Sequence, residues 1–198
     1  MQTAVYFDSI ARFWDMDYSD IELARRVAAA ITVPRGGGYA LDIGTGSGGM
    51  ILDLLQFGAC EIEAVDVSEK MTEMAREKFD FDPRITIETV DFFALDHGGF
   101  DFAIAFNSYQ FFRHPGAFVA KAYSVLREGG RLTVAFGFDR KRTNALSATL
   151  PAGIARQIGS AAEEASVWQP HFKVDCICDT DEIYLISGLA VPGAGGML

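Results

Sequence analysis

The residues best equipped for chemistry cluster in one stretch, YALDIGTGSGGM, from Tyr39 to Met50. A carboxylate, Asp42, stands two residues ahead of Gly44, and Gly44-x-Gly46-x-x-Gly49 has the spacing of a dinucleotide-binding turn. Glycines after a strand permit a tight turn and close approach of backbone to a ligand, and the helix that follows offers unpaired N–H groups to an anion. A pyrophosphate or a carboxylate would satisfy those donors equally. Asp42 separates the cases by sign, because it repels pyrophosphate and suits a ligand that carries an ammonium and a sulfonium.

Two more acids fall where such a ligand needs them. Asp66 lies 22 residues after Gly44 at the end of the apolar run CEIEAVDV, where an acid accepts hydrogen bonds from both hydroxyls of a ribose. Asp91 follows RITIETV in the segment VDFF and can accept from an adenine amino group while the Phe92 N–H meets a ring nitrogen. Val67, Met71 and Phe92 are positioned to sandwich the ring, and Thr45 completes the glycine turn. Each acid could instead cap a turn, and Met71 could serve core packing. S-adenosylmethionine meets all of these demands together, with S-adenosylhomocysteine as its spent form. Asn107, just after FDFAIAF, is placed to hold the methionine amino group through its carbonyl or to line an acceptor pocket through its amide.

Methyl transfer from a sulfonium is an in-line displacement that proximity, alignment and exclusion of water can largely drive, so it needs no obvious triad. Near the same edge, His114 could deprotonate an acceptor hydroxyl or amine and Tyr109 could orient one; a loop histidine and a packing tyrosine are the plainer alternatives. Arg140 and Arg142 after RLTVAF could receive an acidic substrate, with solvated charge the plainer alternative, and Trp14 and Tyr18 in the N-terminal aromatic cluster could wall the acceptor pocket or pack on the core.

The elements that must position these residues follow from hydrophobic patterning. Residues 39–139 alternate strands with helix-length segments, the pattern of a parallel sheet covered by helices. YALDI, CEIEAVDV, RITIETV, FDFAIAF and RLTVAF are the strands. SEKMTEMAREKF is a helix capped by Ser68, and GAFVAKAYSVLRE is a helix ended by Gly129-Gly130. An Ala-rich segment of one or two helices follows. FKVDCICDT and DEIYLISGLA are then separated by so few residues that they must pair antiparallel. Residues 1–33 read as amphipathic helical material, and residues 191–198 as a loose tail.

Bulk properties narrow the function. The 198 residues suit one domain, and a formal net charge of −10 disfavours partners held by their phosphates, so nucleic acid and anionic membranes are not expected. No apolar run reaches the ~18 residues of a membrane helix. The opening residues lack a secretory pattern, and the three cysteines, Cys60, Cys176 and Cys178, fit a reducing compartment, so a cytoplasmic location and no metal site are expected.

Taken together, LDIGTGSGG, AVDVSEKMTEMAREK, VDFFALD, FDFAIAFNSYQFF and VLREGGRLTVAF resemble the successive motifs of class I S-adenosylmethionine-dependent methyltransferases of the type 11/25 kind, over roughly residues 39–137. The resemblance implies a Rossmann-like seven-stranded sheet, mostly parallel with an antiparallel last strand. YFDSIARFWDMDY is similar to the helical N-terminal lid of small-molecule members, which makes 1–38 a lid segment and 39–190 the binding domain. RTNALSATLPAG resembles a subset with Arg and Asn after strand five, which adds Asn144 to the substrate pocket, although Ser147 stands where that subset often has His. Ser108 and Tyr109 replace the prolines usual in nucleic-acid amino methyltransferases. The expectation is a monomer or homodimer that methylates a small molecule. A non-catalytic subunit that binds the cofactor, and an NAD(P)-dependent oxidoreductase, are the competing classes.

Overall fold

The alternating pattern folds as a seven-stranded sheet in the order β3-β2-β1-β4-β5-β7-β6. In this computed structural model, which describes residues 2–13 and 21–192, the strands are β1 (Gly38–Ile43), β2 (Ala59–Asp66), β3 (Ile85–Thr89), β4 (Phe100–Phe106), β5 (Leu126–Phe136), β6 (Phe172–Asp179) and β7 (Tyr184–Ala190). Trp14, Tyr18 and the tail from residue 193 lie outside the described residues. The pairs β1–β2, β1–β4, β2–β3 and β4–β5 are parallel. β7 inserts antiparallel between β5 and β6, as the short connection requires.

β4 shows why this sheet is buried on both sides. Phe100, Ala103 and Ala105 join one hydrophobic cluster and Phe102, Ile104 and Phe106 another, so successive apolar residues serve opposite faces. The first face is covered by α5 (Pro115–Val125) and α7 (Ala161–Ser166), the second by α2 (Glu22–Thr32) and α3 (Ile51–Gln56). α4 (Glu69–Phe79) starts where Ser68 accepts from the Met71 N–H, as its cap position predicts. α1 (Gln2–Ile10) packs on α4 through Phe7, Ala11 and Met71. The Ala-rich segment resolves into α6 (Arg140–Ala148) and α7.

One boundary differs from the sequence expectation. The helix expected to run to Glu128 stops at Val125, because the Val125 carbonyl accepts the Gly99 N–H and Leu126 already pairs with Phe100. Residues 127–130 then make an excursion, with Gly129 at φ +72°, before Arg131 pairs with Phe102. All three cysteines are free thiols. Among the described residues no helix is long and apolar enough to cross a membrane.

Candidate functional site

β1 lies between β2 and β4 at the point where the strand order reverses, so the carboxyl ends of these strands open a crevice. Residues from the end of β1 and the loop after it meet residues from the end of β2 and the start of α4: Asp42, Gly44, Thr45 and Gly46 from the first, Asp66, Val67 and Met71 from the second. Asp91 and Phe92 after β3 and Asn107 after β4 complete the wall of a cavity of about 310 Å³. All the residues expected to touch a cofactor therefore share one enclosure.

Its loops are pressed together. Gly44 adopts φ +71°, and a Cβ there would lie 2.6 Å from that of Ser108, whose Oγ donates to the Ile43 carbonyl at 2.6 Å. The loop amides are largely spent within the protein. Gly44 and Thr45 N–H donate to the Val65 carbonyl, Gly46 N–H to Asp66 Oδ2 at 2.9 Å, and Gly48 N–H to the Thr45 carbonyl. The anion cradle that the glycine spacing alone allowed is thus filled by the chain's own acceptors, which disfavours pyrophosphate there.

The charge inside is negative. Asp42 is 1% exposed and accepts from Thr45 Oγ1 at 2.7 Å. Burial, reinforced by the Asp66 charge and opposed by the Thr45 hydrogen bond, pushes its carboxyl up to about 7. Burial also raises Asp66, although its carboxylate accepts N–H groups from Ser68 and Gly46. Two crowded acids of this kind favour a cation between them. At the adenine end, Asp91 Oδ1 accepts the Phe93 N–H at 2.9 Å, so it also caps the short 3-10 turn that carries Phe92.

A second cavity, of about 380 Å³, opens on the other side of Asn107, between α1, the loop after β4, and α6. Phe7, Ile21, Asn107 and Phe111 wall both cavities. Asn107 sits at φ +53°, a conformation sparsely populated outside glycine, and is pinned by three hydrogen bonds. Its N–H donates to Ala135, its carbonyl accepts from Gln110 Nε2, and its Oδ1 accepts the Gly137 N–H at 2.8 Å. A ligand amino group held through the Asn107 side-chain carbonyl would share that oxygen with the Gly137 N–H.

The expected catalytic pair is not brought to either cavity. Tyr109 is fully buried, its hydroxyl donates to Glu164 Oε2 at 3.0 Å, and the Arg156 guanidinium lies 4.6 Å over its ring. Burial, with the Glu164 charge, raises its phenol far above the ordinary value, so it is a structural group. His114 is an exposed residue at the start of α5 and lines neither cavity. Asn144 is likewise structural: its amide donates to the Ile158 carbonyl at 2.9 Å and its Oδ1 accepts the Ile158 N–H at 2.8 Å. Arg142 does line the second cavity, with its guanidinium 3.7 Å over the Phe138 ring, whereas Arg140 pairs with Asp179. Sequence reasoning missed Phe7, Phe111, Gln110 and Thr143, which line the second cavity. Gln110 and Phe111 lie within NSYQFFRH and Phe7 within the N-terminal aromatic cluster, whereas Thr143 had no signal of its own.

This architecture is shared with known proteins. A family described as a methyltransferase domain matches residues 40–130, the segment that runs from β1 through β4 and α5. A Haloferax volcanii protein described as a methyltransferase, solved in complex with the Trm112 methyltransferase activator, superposes with a TM-score of 0.83 at 18% identity over 96% of this chain and 98% of its own. An S-adenosylmethionine-dependent methyltransferase of Thermotoga maritima gives 0.74 at 19% identity over 94% and 99%. The N-methyltransferase NodS of Bradyrhizobium japonicum, solved with S-adenosylhomocysteine, gives 0.74 at 12% identity over 96% and 99%. At these identities the likeness establishes the fold. A comparison with curated proteins finds no match.

Proposed function

We propose that this chain is an S-adenosylmethionine-dependent methyltransferase acting on a small molecule. The observation that carries the reading is the single cavity bounded by Asp42, Asp66, Asp91 and Asn107, whose loop amides are consumed internally and whose acids are crowded. S-adenosylmethionine held there would supply a methyl group activated by its positively charged sulfur, with S-adenosylhomocysteine as the leaving group that takes the carbon–sulfur bonding pair. Asp66 then accepts from the ribose hydroxyls, Asp91 and the Phe92 N–H read the adenine, and Val67, Met71 and Phe92 flank its ring. Asp42 offsets the positive charge of the methionyl end. Asn107 lines both cavities, so it would border both the cofactor and an acceptor held beside it. Phe7 and Phe111 exclude water from that passage, and catalysis rests on alignment rather than on a dedicated base.

Calorimetric titration with S-adenosylhomocysteine, with NAD as comparison and Asp66→Ala as control, tests the reading. Micromolar binding of the homocysteine compound, lost in the variant, supports it. Binding of NAD in its place would sink it, because the loop would then hold a pyrophosphate after all.

A further inference from the structure

S-adenosylmethionine ends in an amino acid, whose ammonium and carboxylate ask for opposite partners. Asp42 answers the first. The glycine loop does not answer the second, because the N–H groups of Gly44, Thr45, Gly46 and Gly48 already donate within the protein. Among the described lining residues of the cofactor cavity the cations are Arg25 and Arg113. Arg113 follows Phe112, whose ring meets those of Phe92 and Phe93 at the adenine end. Arg25 comes from α2 and shares the opposite wall with Gly46, Ser47, Gly49 and Met50.

A buried acid holds Arg25 in that wall. Asp53 lies in the first turn of α3, the helix that the glycine loop opens, and its Oδ2 is 3.0 Å from Arg25 Nε. Burial raises the Asp53 carboxyl, and the Arg25 charge opposes that rise. An arginine presents five N–H donors in a planar fork, so an acid at Nε orients the plane while the terminal amino groups are shaped to meet a second carboxylate. Of the two side chains Arg25 keeps the larger share of its surface, 22% against 9%, so the open side of the pair is the arginine's. α2 packs on α3, β4 and β5, which places Arg25 on a helix seated against the sheet.

Resting on the methyltransferase reading above, we propose that Arg25 is the receptor for the carboxylate of the cofactor's methionyl group and that Asp53 is the residue that positions it. Asp42 and Arg25 together then read a zwitterion. The site thereby selects S-adenosyl amino acids over adenosyl sulfur compounds that keep the ammonium and lack the carboxylate. The acids of the cavity alone would set the opposite preference, since Asp42, Asp66 and Asp91 favour the more cationic ligand.

The test is calorimetric titration with S-adenosylhomocysteine, with its decarboxylated analogue, which keeps the ammonium, and with methylthioadenosine, which lacks both charges. The unmodified protein should bind S-adenosylhomocysteine about tenfold or more tightly than the decarboxylated analogue. Arg25→Met should abolish most of that preference and leave the affinity for methylthioadenosine unchanged. Arg25→Lys should keep part of the preference, and Asp53→Asn should reduce it. Arg25→Met combined with Asp53→Asn removes both charges of the pair and gives the same readout if the single variant is too unstable to titrate. Equal binding of the first two compounds by the unmodified protein, an undiminished preference once Arg25 is replaced by Met, or an equal loss of affinity for all three ligands overturns the assignment while the cofactor site stands. Failure of S-adenosylhomocysteine to bind the unmodified protein overturns the methyltransferase reading itself.

Discussion

The Gly46 N–H donates to Asp66 Oδ2 at 2.9 Å, and the Ser68 N–H donates to Asp66 Oδ1 at 2.9 Å. One carboxylate thus latches the loop after β1 to the start of α4. Asp66→Ala should weaken S-adenosylhomocysteine binding by about two orders of magnitude, since it removes charged acceptors from the ribose and loosens the loop. Asp66→Asn, which keeps one acceptor, should fall between. Calorimetry at constant salt would read both, and an unchanged affinity in Asp66→Ala would remove the ribose role.

Asp42 gives the site a pH dependence. In the free protein its carboxyl is pushed up to about 7, whereas the unfolded chain titrates near 3.8. Between those values the native state holds more protons, so this group makes stability fall as pH rises, by on the order of a few kcal/mol across the window. A bound cation favours the carboxylate. S-adenosylmethionine should therefore bind more tightly at pH 8 than at pH 6 and release protons near pH 7, which calorimetry in buffers of differing ionisation enthalpy detects. Asp42→Asn should raise the melting temperature at pH 8 and weaken the cationic cofactor.

Gly44 and Ser108 are in contact across two loops. Gly44→Ala should destabilise the protein by about 1–3 kcal/mol, from the positive φ and from the 2.6 Å approach to Ser108 Cβ. Adding Ser108→Gly should recover the steric part and leave the conformational part, a coupling that urea denaturation of the double-mutant cycle can measure.

Tyr109→Phe separates a structural tyrosine from a catalytic one. It should lower stability by about 1 kcal/mol, the worth of its hydrogen bond to Glu164, and leave turnover unaltered. Glu164→Ala should cost more, about 3–5 kcal/mol, because Arg156, 2.6 Å from Glu164 Oε1, would be left without its carboxylate. A large fall in turnover for Tyr109→Phe with intact stability would return the residue to the reaction.

α1 is fastened over the site by Asp8, whose Oδ1 accepts from Ser68 Oγ at 2.6 Å and from the Lys70 N–H at 3.2 Å. Hydrogen exchange of α1 should slow on adding S-adenosylhomocysteine, and Asp8→Ala should speed it in both states. Equal exchange with and without ligand would count against a lid.

The sheet, and the gathering of Asp42, Asp66 and Asp91 at one cavity, were legible because their signals are local. Asp42, Asp66 and Asp91 each end or follow a strand, and a parallel sheet brings strand ends to one edge whatever else the chain does. The second cavity was not legible, because residues expected near it take their places from distant partners. Tyr109 is claimed by Glu164, 55 positions away, and Asn144 by Ile158, 14 away in a connection with no periodic pattern. The overshoot at Val125 has the same origin: helical composition continued to Glu128, and sheet pairing to Phe100 overrode it. Thr143 carried no signal at all, since its place in the wall of the second cavity exists only in the folded arrangement.

The Phe7 and Phe111 rings meet edge to face with centroids 4.8 Å apart, and both residues border both cavities. A single aromatic partition therefore serves two compartments, and traffic through either one disturbs it. On the proposed reading, departure of the spent sulfur compound and loading of the next acceptor would be linked events, and ligand residence time is the quantity this partition would govern.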